Sequence, residues 1–526
     1  MKKLYILPVL FGMLFCSCED YLNVGSETDL TQEQIYSTDE GFHKALIGIY
    51  VGMASSDLYG AQLTWKGLDI FAHHYENVSS GNFQNFHKHD YTKSDTKSFI
   101  NNAWNGLYNL IYRCNDLLEN LEKRKDEVNP VNYEMLRGEA LALRAYFHFD
   151  LLRLFGHGNY ANRSAELANK YTIPYVTKTG KEITPQATYA EVFKYLKADL
   201  NEAAKLLWGE NGENCCFTYN NTETGDEDMA AHFGAAEGNS EDFYTSLYFH
   251  NKTRMHYFAV RAILARVLMW EGTEEGKNEV LNFIENEWIP AGEDDGYDAW
   301  DPCKRMSGTY YNRIMTGENI LQLWVSGLND IIGSAFTWQI SAGNYNYYGI
   351  LQLTAKMYQN TFEYNAGSNV GLGDFRANKF YEKNTNGKYL ITKLYQYEGV
   401  HNFVNVMASY GNKIPLISTP EFYYYAAEIY AERNDFVNAL TYLNSIRNVR
   451  GISDNILDSD LEIIKEEILK EWRKEYIALG HLFFHYKRLG LEDVHGTAMN
   501  DEKYVLPFPE DEVITGNREQ FITEEE

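Results

Sequence analysis

Aromatic side chains with polar neighbours are the residues of this 526-residue chain that most clearly indicate a binding chemistry. The flat rings of Trp and Tyr can stack on the C–H faces of sugar rings, while Asn, Asp or backbone groups hydrogen-bond to the hydroxyls. The aromatic candidates, each of which could instead be a core residue, are Trp65, Tyr75, Phe83, Phe86, Trp300, Tyr310, Tyr311, Trp324, Trp338, Tyr345, Tyr347 and Tyr348. The polar candidates are Asp69, Asn77, Asn82 and Asn346.

Metal and catalytic chemistry is much less strongly indicated. The motifs His73-His74-x-Glu76 and His87-x-His89-Asp90 lack the i, i+4 spacing of a helical zinc motif, so we interpret them as solvated loop histidines. No GxSxG or P-loop motif occurs, and no carboxylate pair is fixed at a defined separation. We therefore predict no catalytic residue, no metal and no cofactor, and a surface glycoside hydrolase is the least favoured alternative.

Two charged groups are expected to have structural roles. Asp374 and Arg376 are predicted to anchor a loop to the rest of the protein through a charge-assisted hydrogen bond. Glu471, Arg473 and Glu475 are predicted to form a solvated helix face with local ion pairs.

The composition excludes one class of partner. Apolar residues make up 44% of the chain and charged residues 23%, both ordinary for a globular protein, but the net charge is −27. A negative field of this size opposes binding to nucleic-acid phosphates and to anionic lipid surfaces. We therefore predict no nucleic-acid partner.

The N-terminus has the pattern of an exported lipoprotein. Residues 1–17 combine Lys2 and Lys3 with an apolar run, and small Ser17 precedes Cys18, the predicted site of lipidation. The alternative is an ordinary secretory signal with incidental cysteines. We divide the chain into a signal at 1–17, a lipidated tether at 18–30 and a single domain at 31–526, with no later membrane-spanning segment and no essential disulfide.

The segments that must position the candidate residues are mostly helical. Residues 417–451 match the tetratricopeptide helix-turn-helix register, with Ala427, Tyr430, Phe436 and Ala439 at packing positions. One such unit cannot bury its own apolar face, so other helix pairs must cover it. We predict an α fold in which a scaffold of such pairs (31–53, 98–208, 253–288 and 417–490) carries an irregular, loop-rich binding face (54–97 and 290–416). A few short strands, such as one at 388–396, are expected in that face.

The order of several motifs resembles the SusD/RagB family of outer-membrane lipoproteins from Bacteroidetes. The matching stretches are CEDYLN (18–23), WNGLY (104–108), RGEALALRAYFHFDLLRLFG (137–156), the Asp374-x-Arg376 element, EFYYYAAEIYAERNDFVNALTYLNSIR (421–447) and YVLPFPEDEVITGN (504–517). The chain departs from the family at Thr419-Pro420, where an Arg is usual. Apart from the Asp374-x-Arg376 element, residues 209–251 and 290–416 match nothing that we can place in the family, so the resemblance does not identify the ligand.

The resemblance implies a surface lipoprotein with a tetratricopeptide-like scaffold and no catalytic activity. It implies an oligosaccharide ligand, a lipid anchor in the outer membrane and a SusC-like TonB-dependent transporter as partner. A peptide-binding importer subunit of the RagB type is the main alternative, because some family members bind peptides.

Overall fold

Helices dominate the computed structural model, which describes residues 32–75, 83–209, 252–289, 313–336, 338–341, 344–347, 352–364, 370–383, 387–394 and 411–519. The strands among these residues are short and few, which confirms the predicted α class. No helix among them is both long and apolar enough to cross a membrane.

The helices are numbered here in chain order within the described ranges. They are α1 (Gln32–Ile35), α2 (Asp39–Met53), α3 (Gly67–Phe71), α4 (Phe83–His87), α5 (Ser94–Lys123), α6 (Pro130–Phe155), α7 (Tyr160–Leu167), α8 (Tyr189–Trp208), α9 (Tyr257–Glu271), α10 (Glu274–Asn282), α11 (Leu328–Phe336), α12 (Ala355–Thr361), α13 (Val370–Gly373), α14 (Phe375–Lys379), α15 (Pro420–Glu432), α16 (Phe436–Val449), α17 (Leu461–Glu475), α18 (His481–Leu489), α19 (Asp501–Tyr504) and α20 (Glu510–Ile514). A π-helical turn, Phe283–Trp288, follows α10.

The long helices pack in the order in which they occur in the chain. Helix α2 packs on α5, α5 on α6, α6 on α8, and α8 on α9. Gly138 permits a close approach between α6 and α8, because a Cβ at this position would lie 2.7 Å from Cγ of Leu207. Thr38 caps the N-terminus of α2 by accepting a hydrogen bond from the backbone N–H of Gly41. The helix-pair scaffold expected from periodicity is therefore present.

Helices α15 and α16 form the hairpin predicted for residues 417–451. Ala427 and Ala439 are fully buried, as close packing of two helix backbones requires. The chain reverses direction at Asn434, whose φ of 59° is left-handed. The hydroxyls of Tyr430 and Tyr442 both donate to Oε1 of Glu285 in the π-helical turn, at 2.6 and 2.9 Å. The hairpin is thus packed against its predecessor along the scaffold.

The terminal helical region at 461–489 is divided into α17 and α18. Ala478 and Gly480 have left-handed φ angles of 61° and 75°. These angles are incompatible with an α-helix, so α17 and α18 are separate helices. Further along the chain, residues 504–508 return to the scaffold, where the N–H of Leu506 donates to the carbonyl of Leu154 at 3.1 Å. Both Tyr504 and Phe508 are buried.

The strands form small separate sheets. Their bounds are β1 (Tyr171–Pro174), β2 (Gln186–Thr188), β3 (Asn319–Trp324), β4 (Trp338–Ser341), β5 (Asn344–Tyr347), β6 (Gln352–Leu353), β7 (Tyr381–Lys383), β8 (Tyr389–Ile391), β9 (Lys413–Ser418), β10 (Asp493–Val494) and β11 (Thr497–Ala498). The antiparallel pairs are β1–β2, β3–β9, β4–β5 and β10–β11, and β6–β8–β7 form a three-stranded sheet. The strand expected at 388–396 is observed as β8, and residues 395–396 lie outside the described part.

Residues 54–75, predicted to belong to the binding face, are instead mostly buried. They form consecutive turns followed by α3, and Leu58, Tyr59, Leu63 and Leu68 belong to the hydrophobic core. The Tyr59 hydroxyl donates to Oδ2 of Asp150 in α6 at 2.6 Å. Compact turns satisfy their own backbone groups, so the segment can be buried without regular helices or strands. The prediction of a ligand-facing loop is therefore wrong for this part of 54–97.

A buried ionic cluster joins the irregular segments to the scaffold. We use this name for Glu318, Asp374, Arg376, Arg447, Arg450, Glu471, Lys474 and Glu475, all of which are buried. Arg376 Nη2 lies 2.7 Å from Oδ2 of Asp374 and 2.6 Å from Oε2 of Glu471. The predicted anchoring role of Asp374 and Arg376 is confirmed, because Glu471 belongs to scaffold helix α17.

The expectation that Glu471 and Glu475 lie on a solvated helix face is wrong. Arg450 binds Oε2 of Glu475 through Nε at 2.9 Å and Oε1 of Glu318 through Nη1 at 2.8 Å. Burial alone would raise the pKa of Glu475, but the guanidinium groups of Arg450 and Arg376 outweigh burial and lower this pKa to about 2. Both carboxylates are therefore ionised inside the protein because cations from distant segments surround them.

Candidate ligand-binding segment

Three of the candidate site residues lie in the core. Trp65 is 1% exposed and its Nε1 donates to the carbonyl of Gly60 at 3.0 Å, while the buried Tyr75 hydroxyl donates to the carbonyl of Trp65 at 2.6 Å. Asp69 is also buried and accepts a hydrogen bond from the N–H of Gly480 at 2.8 Å. Burial raises the pKa of Asp69 to about 7. Trp65 and Tyr75 stabilise the turns of 54–75 from within, and Asp69 joins these turns to Gly480 at the start of α18. Their prediction as ligand contacts is therefore corrected.

Of the remaining candidates, some are described by the structure and others lie outside the described residues. Phe83 is half-buried, with Nζ of Lys66 5.4 Å from its ring centroid, and Phe86 is buried in the core. The candidates outside the described residues are Cys18, Asn77, Asn82, Trp300, Tyr310, Tyr311 and Tyr348.

Trp324 is a candidate aromatic residue that the structure places on the surface. It ends β3 with 46% of its side chain exposed, whereas the five preceding residues of the strand are buried. Pairing with β9 places Trp324 opposite Lys413. Beyond the strand, the N–H of Val325 donates to the carbonyl of Asn412 at 2.7 Å. A buried, hydrogen-bonded strand thus presents one large aromatic residue to solvent.

The hairpin that follows concentrates further aromatic candidates. In the β4–β5 register Trp338 lies opposite Tyr347, and Ile340 lies opposite Tyr345. Because residues alternate between the two faces of a strand, these four positions share one face of the hairpin. Asn346 pairs with Gln339 on the other face. We call residues 324–347 the aromatic segment, which comprises Trp324, α11 and this hairpin.

The base of the aromatic segment is fixed to the scaffold. Glu318, immediately before β3, belongs to the ionic cluster, and its backbone carbonyl accepts hydrogen bonds from the backbone and hydroxyl of Thr419 at 2.9 and 3.0 Å. His256 at the start of α9 contacts the carbonyl of Ile320 through Nε2 at 2.9 Å. Strand β3 is therefore held on both sides before it reaches Trp324, which gives the exposed ring a defined position.

Lys413 is a polar neighbour of Trp324 that the sequence did not reveal as a candidate. Partial burial lowers the pKa of Lys413 from its usual value. Its place opposite Trp324 depends on the pairing of β3 with β9, which are far apart in the sequence. An aromatic residue beside a hydrogen-bond donor suits a hydroxyl-rich ligand, because the ring contacts C–H groups and the amine contacts oxygens.

The histidine motifs are mostly buried, not solvated as expected. His73 Nδ1 lies 3.2 Å from Nε2 of His87, and His73 Nε2 lies 3.1 Å from Nε2 of His89. Burial lowers the pKa of His73 to about 2 and that of His89 to about 3, so these imidazoles are neutral. Glu76 is outside the described residues. Among the residues with described positions, no three His, Cys, Asp or Glu side chains are arranged to hold a metal ion.

Two family models match most of the chain. Residues 20–221 match a SusD-like model described as starch-binding and associating with the outer membrane, and residues 266–523 match the SusD family model. The SusD-like proteins P38 and P25 of Formosa agariphila are 27% identical over 223 residues and 25% identical over 171 residues. These matches cover 39% and 30% of this chain. They span 39% of the length of P38 and 31% of that of P25.

Solved structures share the fold over almost the whole chain. A SusD superfamily protein of Bacteroides thetaiotaomicron has a TM-score of 0.65 at 16% identity, with 93% of this chain and 99% of that protein covered. A SusD-like carbohydrate binding protein of Bacteroides vulgatus has a TM-score of 0.61 at 16% identity, with 91% and 97% covered. At these identities the likeness concerns the fold.

Proposed function

The chain belongs to the SusD/RagB family, and from this premise we propose that it binds an oligosaccharide or polysaccharide at the cell surface and delivers it to a SusC-like TonB-dependent transporter of the outer membrane. Proteins of this family are known for binding rather than for catalysis. The proposed role is accordingly capture and transfer of a ligand without chemical change.

The exposed Trp324 is the observation that carries this proposal. The exposed part of this large aromatic ring, at the end of an otherwise buried strand, does not pack against the core. In the sequence, Trp324 is followed by a hairpin with three more aromatic positions on one face. Carbohydrate recognition uses such rings together with amide and amine groups. Lys413, opposite Trp324, supplies such an amine group.

The membrane anchor is part of the same proposal. An acyl chain on Cys18 would attach the folded domain to the outer membrane through the tether at 18–30. Such a position keeps the aromatic segment in the aqueous phase near a membrane-embedded partner. Transfer requires release of the ligand, so we expect micromolar to millimolar dissociation constants, about −8 to −4 kcal/mol.

Affinity electrophoresis of the protein beginning at Glu19, in gels containing individual polysaccharides, tests this proposal. Trp324→Ala and Trp338→Ala are compared with Trp208→Ala, which changes another exposed tryptophan that lies on scaffold helix α8. Loss of one stacking partner should weaken binding by about 2- to 13-fold, from about 0.5–1.5 kcal/mol per aromatic contact. Retardation on at least one glycan should fall in the first two variants and persist in Trp208→Ala.

The opposite result has a clear meaning. If folded wild-type protein is not retarded by any glycan, carbohydrate binding by the isolated protein is contradicted, and a peptide ligand becomes the next candidate. If Trp208→Ala weakens retardation while Trp324→Ala and Trp338→Ala do not, the aromatic segment is not the binding surface.

A further inference from the structure

A cleft in the scaffold, apart from the aromatic segment, has the features of a second binding site. Its volume is about 650 Å³, and its walls come from α7, α9, α10, α15, α17, α18 and the residue Leu491. No residue of the aromatic segment lines it. Clefts of about 300–1,000 Å³ commonly hold small ligands.

The lining of the cleft includes a buried histidine without a hydrogen-bond partner among the described residues. His485 is 4% exposed, its ring is stacked on Trp472 at a centroid distance of 4.0 Å, and neither Nδ1 nor Nε2 has a partner among the described residues. Burial holds the pKa of His485 well below its usual value, so the ring is neutral and offers one donor and one acceptor. A buried polar atom without a hydrogen-bond partner is destabilising, which favours a ligand that hydrogen-bonds there.

A smaller cavity is lined in part by the same residues. It measures about 20 Å³ and shares His485 and Arg488 with the cleft. The Nε1 atoms of Trp270 and Trp472, which are also without partners in the described structure, belong to residues that line it. This volume suits one water molecule or one hydroxyl group. Residues around His485 therefore carry indole N–H donors without partners, in addition to the acceptor nitrogen of His485 itself.

The three cations that line the cleft are all paired with carboxylates, and the fourth carboxylate, the exposed Glu466, lies 3.9 Å from Lys470. Arg488 binds both carboxylate oxygens of Glu428 at 2.6 Å. Lys277 lies 2.7 Å from Glu432, and Lys465 lies 3.1 Å from Glu462. An anionic or cationic ligand would have to compete with these pairs. Hydroxyl groups can instead use the remaining lone pairs and N–H groups without separating the ions.

Apolar wall residues complete the chemistry. Met269 and Ile468 are buried, and Leu469 is half-buried, all in the lining of the cleft. These surfaces can contact C–H groups, and the paired ions and His485 can contact hydroxyls. We propose that this cleft is a second binding site for a neutral, polyhydroxylated molecule of mono- or disaccharide size. The proposal does not depend on the proposed function of the aromatic segment, since it uses only residues of the cleft.

Ligand-observed NMR and tryptophan-fluorescence titration test the proposal with glucose, xylose and maltose as probes. Glucuronate and glucosamine serve as charged analogues. Leu469→Trp adds bulk to the cleft wall without removing an ion pair, and His485→Phe keeps a ring against Trp472 while removing both nitrogens. We expect at least one neutral probe to bind the wild-type protein, and to bind both variants at least about 10-fold more weakly, or about 1.4 kcal/mol. The charged analogues should bind more weakly than that probe.

Trp208→Ala, which lies on α8 outside the lining of the cleft, is the matched control and should leave this binding unchanged. Failure of all three neutral probes to bind would overturn the proposal, as would wild-type affinity in Leu469→Trp. Binding that is lost in Trp324→Ala but retained in Leu469→Trp would assign the sugar to the aromatic segment and also overturn it. Circular dichroism verifies the fold of each variant, and Leu469→Trp decides the question if His485→Phe does not fold.

Discussion

Replacing Arg376 with alanine removes a guanidinium group shared by three buried carboxylates. Its nitrogens lie 2.7 Å from Asp374, 2.6 Å from Glu471 and 2.9 Å from Glu475. Glu471 and Glu475 keep other basic partners in the ionic cluster. Among the described residues, the carboxylate of Asp374 would then retain one hydrogen bond, which it accepts from the backbone N–H of residue 376. The substitution therefore leaves a buried charge without a counterion.

The size of the effect follows from burial. Removing one partner of a fully buried ion pair destabilises a protein by about 3–5 kcal/mol. For 526 residues, an unfolding entropy of about 2.1 cal/mol/K per residue gives about 1.1 kcal/mol/K in total. The expected decrease in Tm is therefore about 3–5 °C.

Differential scanning calorimetry at neutral pH measures this decrease. Arg376→Lys should lie between wild type and Arg376→Ala, because one ammonium group cannot reproduce the planar fork that contacts three carboxylates. Lys44→Ala is the control, since it removes one partner of the exposed Lys44–Glu40 pair on α2. Exposed pairs contribute little, and no change in Tm is expected for it.

Two outcomes would refute the reasoning. A Tm for Arg376→Ala that coincides with that of wild type would show that the ionic cluster is not a net stabilising contact. Equal decreases for Arg376→Ala and Lys44→Ala would show that loss of any positive charge matters, and that burial does not.

Further predictions concern packing, pH and the anchor. Ala427→Leu should destabilise the α15–α16 hairpin by about 1–3 kcal/mol in urea titrations, because the added atoms overfill a buried contact, whereas exposed Val437→Leu should not; equal midpoints would contradict this. His89 and His148, whose pKa values burial lowers to about 3, take up protons on unfolding, so each should remove about 1.4 kcal/mol of stability per pH unit below about 6.5. Asp69, with its pKa raised to about 7, gains stability over the same pH range and offsets the loss from one histidine. A urea midpoint that does not decrease as the pH is lowered from 7 to 5 would contradict the argument. Cys18→Ala should abolish incorporation of radiolabelled palmitate and release the protein from membranes, and persistent labelling would exclude Cys18 as the lipidation site.

The helical scaffold was predictable because its signals are local. Thr38 as an N-cap, and the buried Ala427 and Ala439 of the hairpin, follow from spacings of a few residues. Residues 54–75 carry no such periodicity. Their aromatic residues therefore could not be divided by sequence into core residues, such as Trp65, and surface residues.

Burial of charged residues was the least predictable feature. Glu475 has the sequence context of an exposed helix position, and only its contacts with Arg376 and Arg450, from other segments, make its burial favourable. The cleft beside His485 has the same origin, since its walls come from six helices between α7 and α18 and from Leu491. For the aromatic segment, the sequence identified the residue types, but exposure of Trp324 depended on where β3 ends.

The ionic cluster also limits how the protein can move. Arg450 has directional hydrogen bonds to Glu318 and Glu475, and Arg376 to Asp374, Glu471 and Glu475. Sliding one of these segments past another would therefore separate buried charges before new contacts could form. Strand β3 begins directly after Glu318, and α14 contains Arg376, so both are expected to follow α17 as one body. We therefore expect these three segments to keep their relative positions in any conformational change of the protein, because moving them apart would separate buried charges.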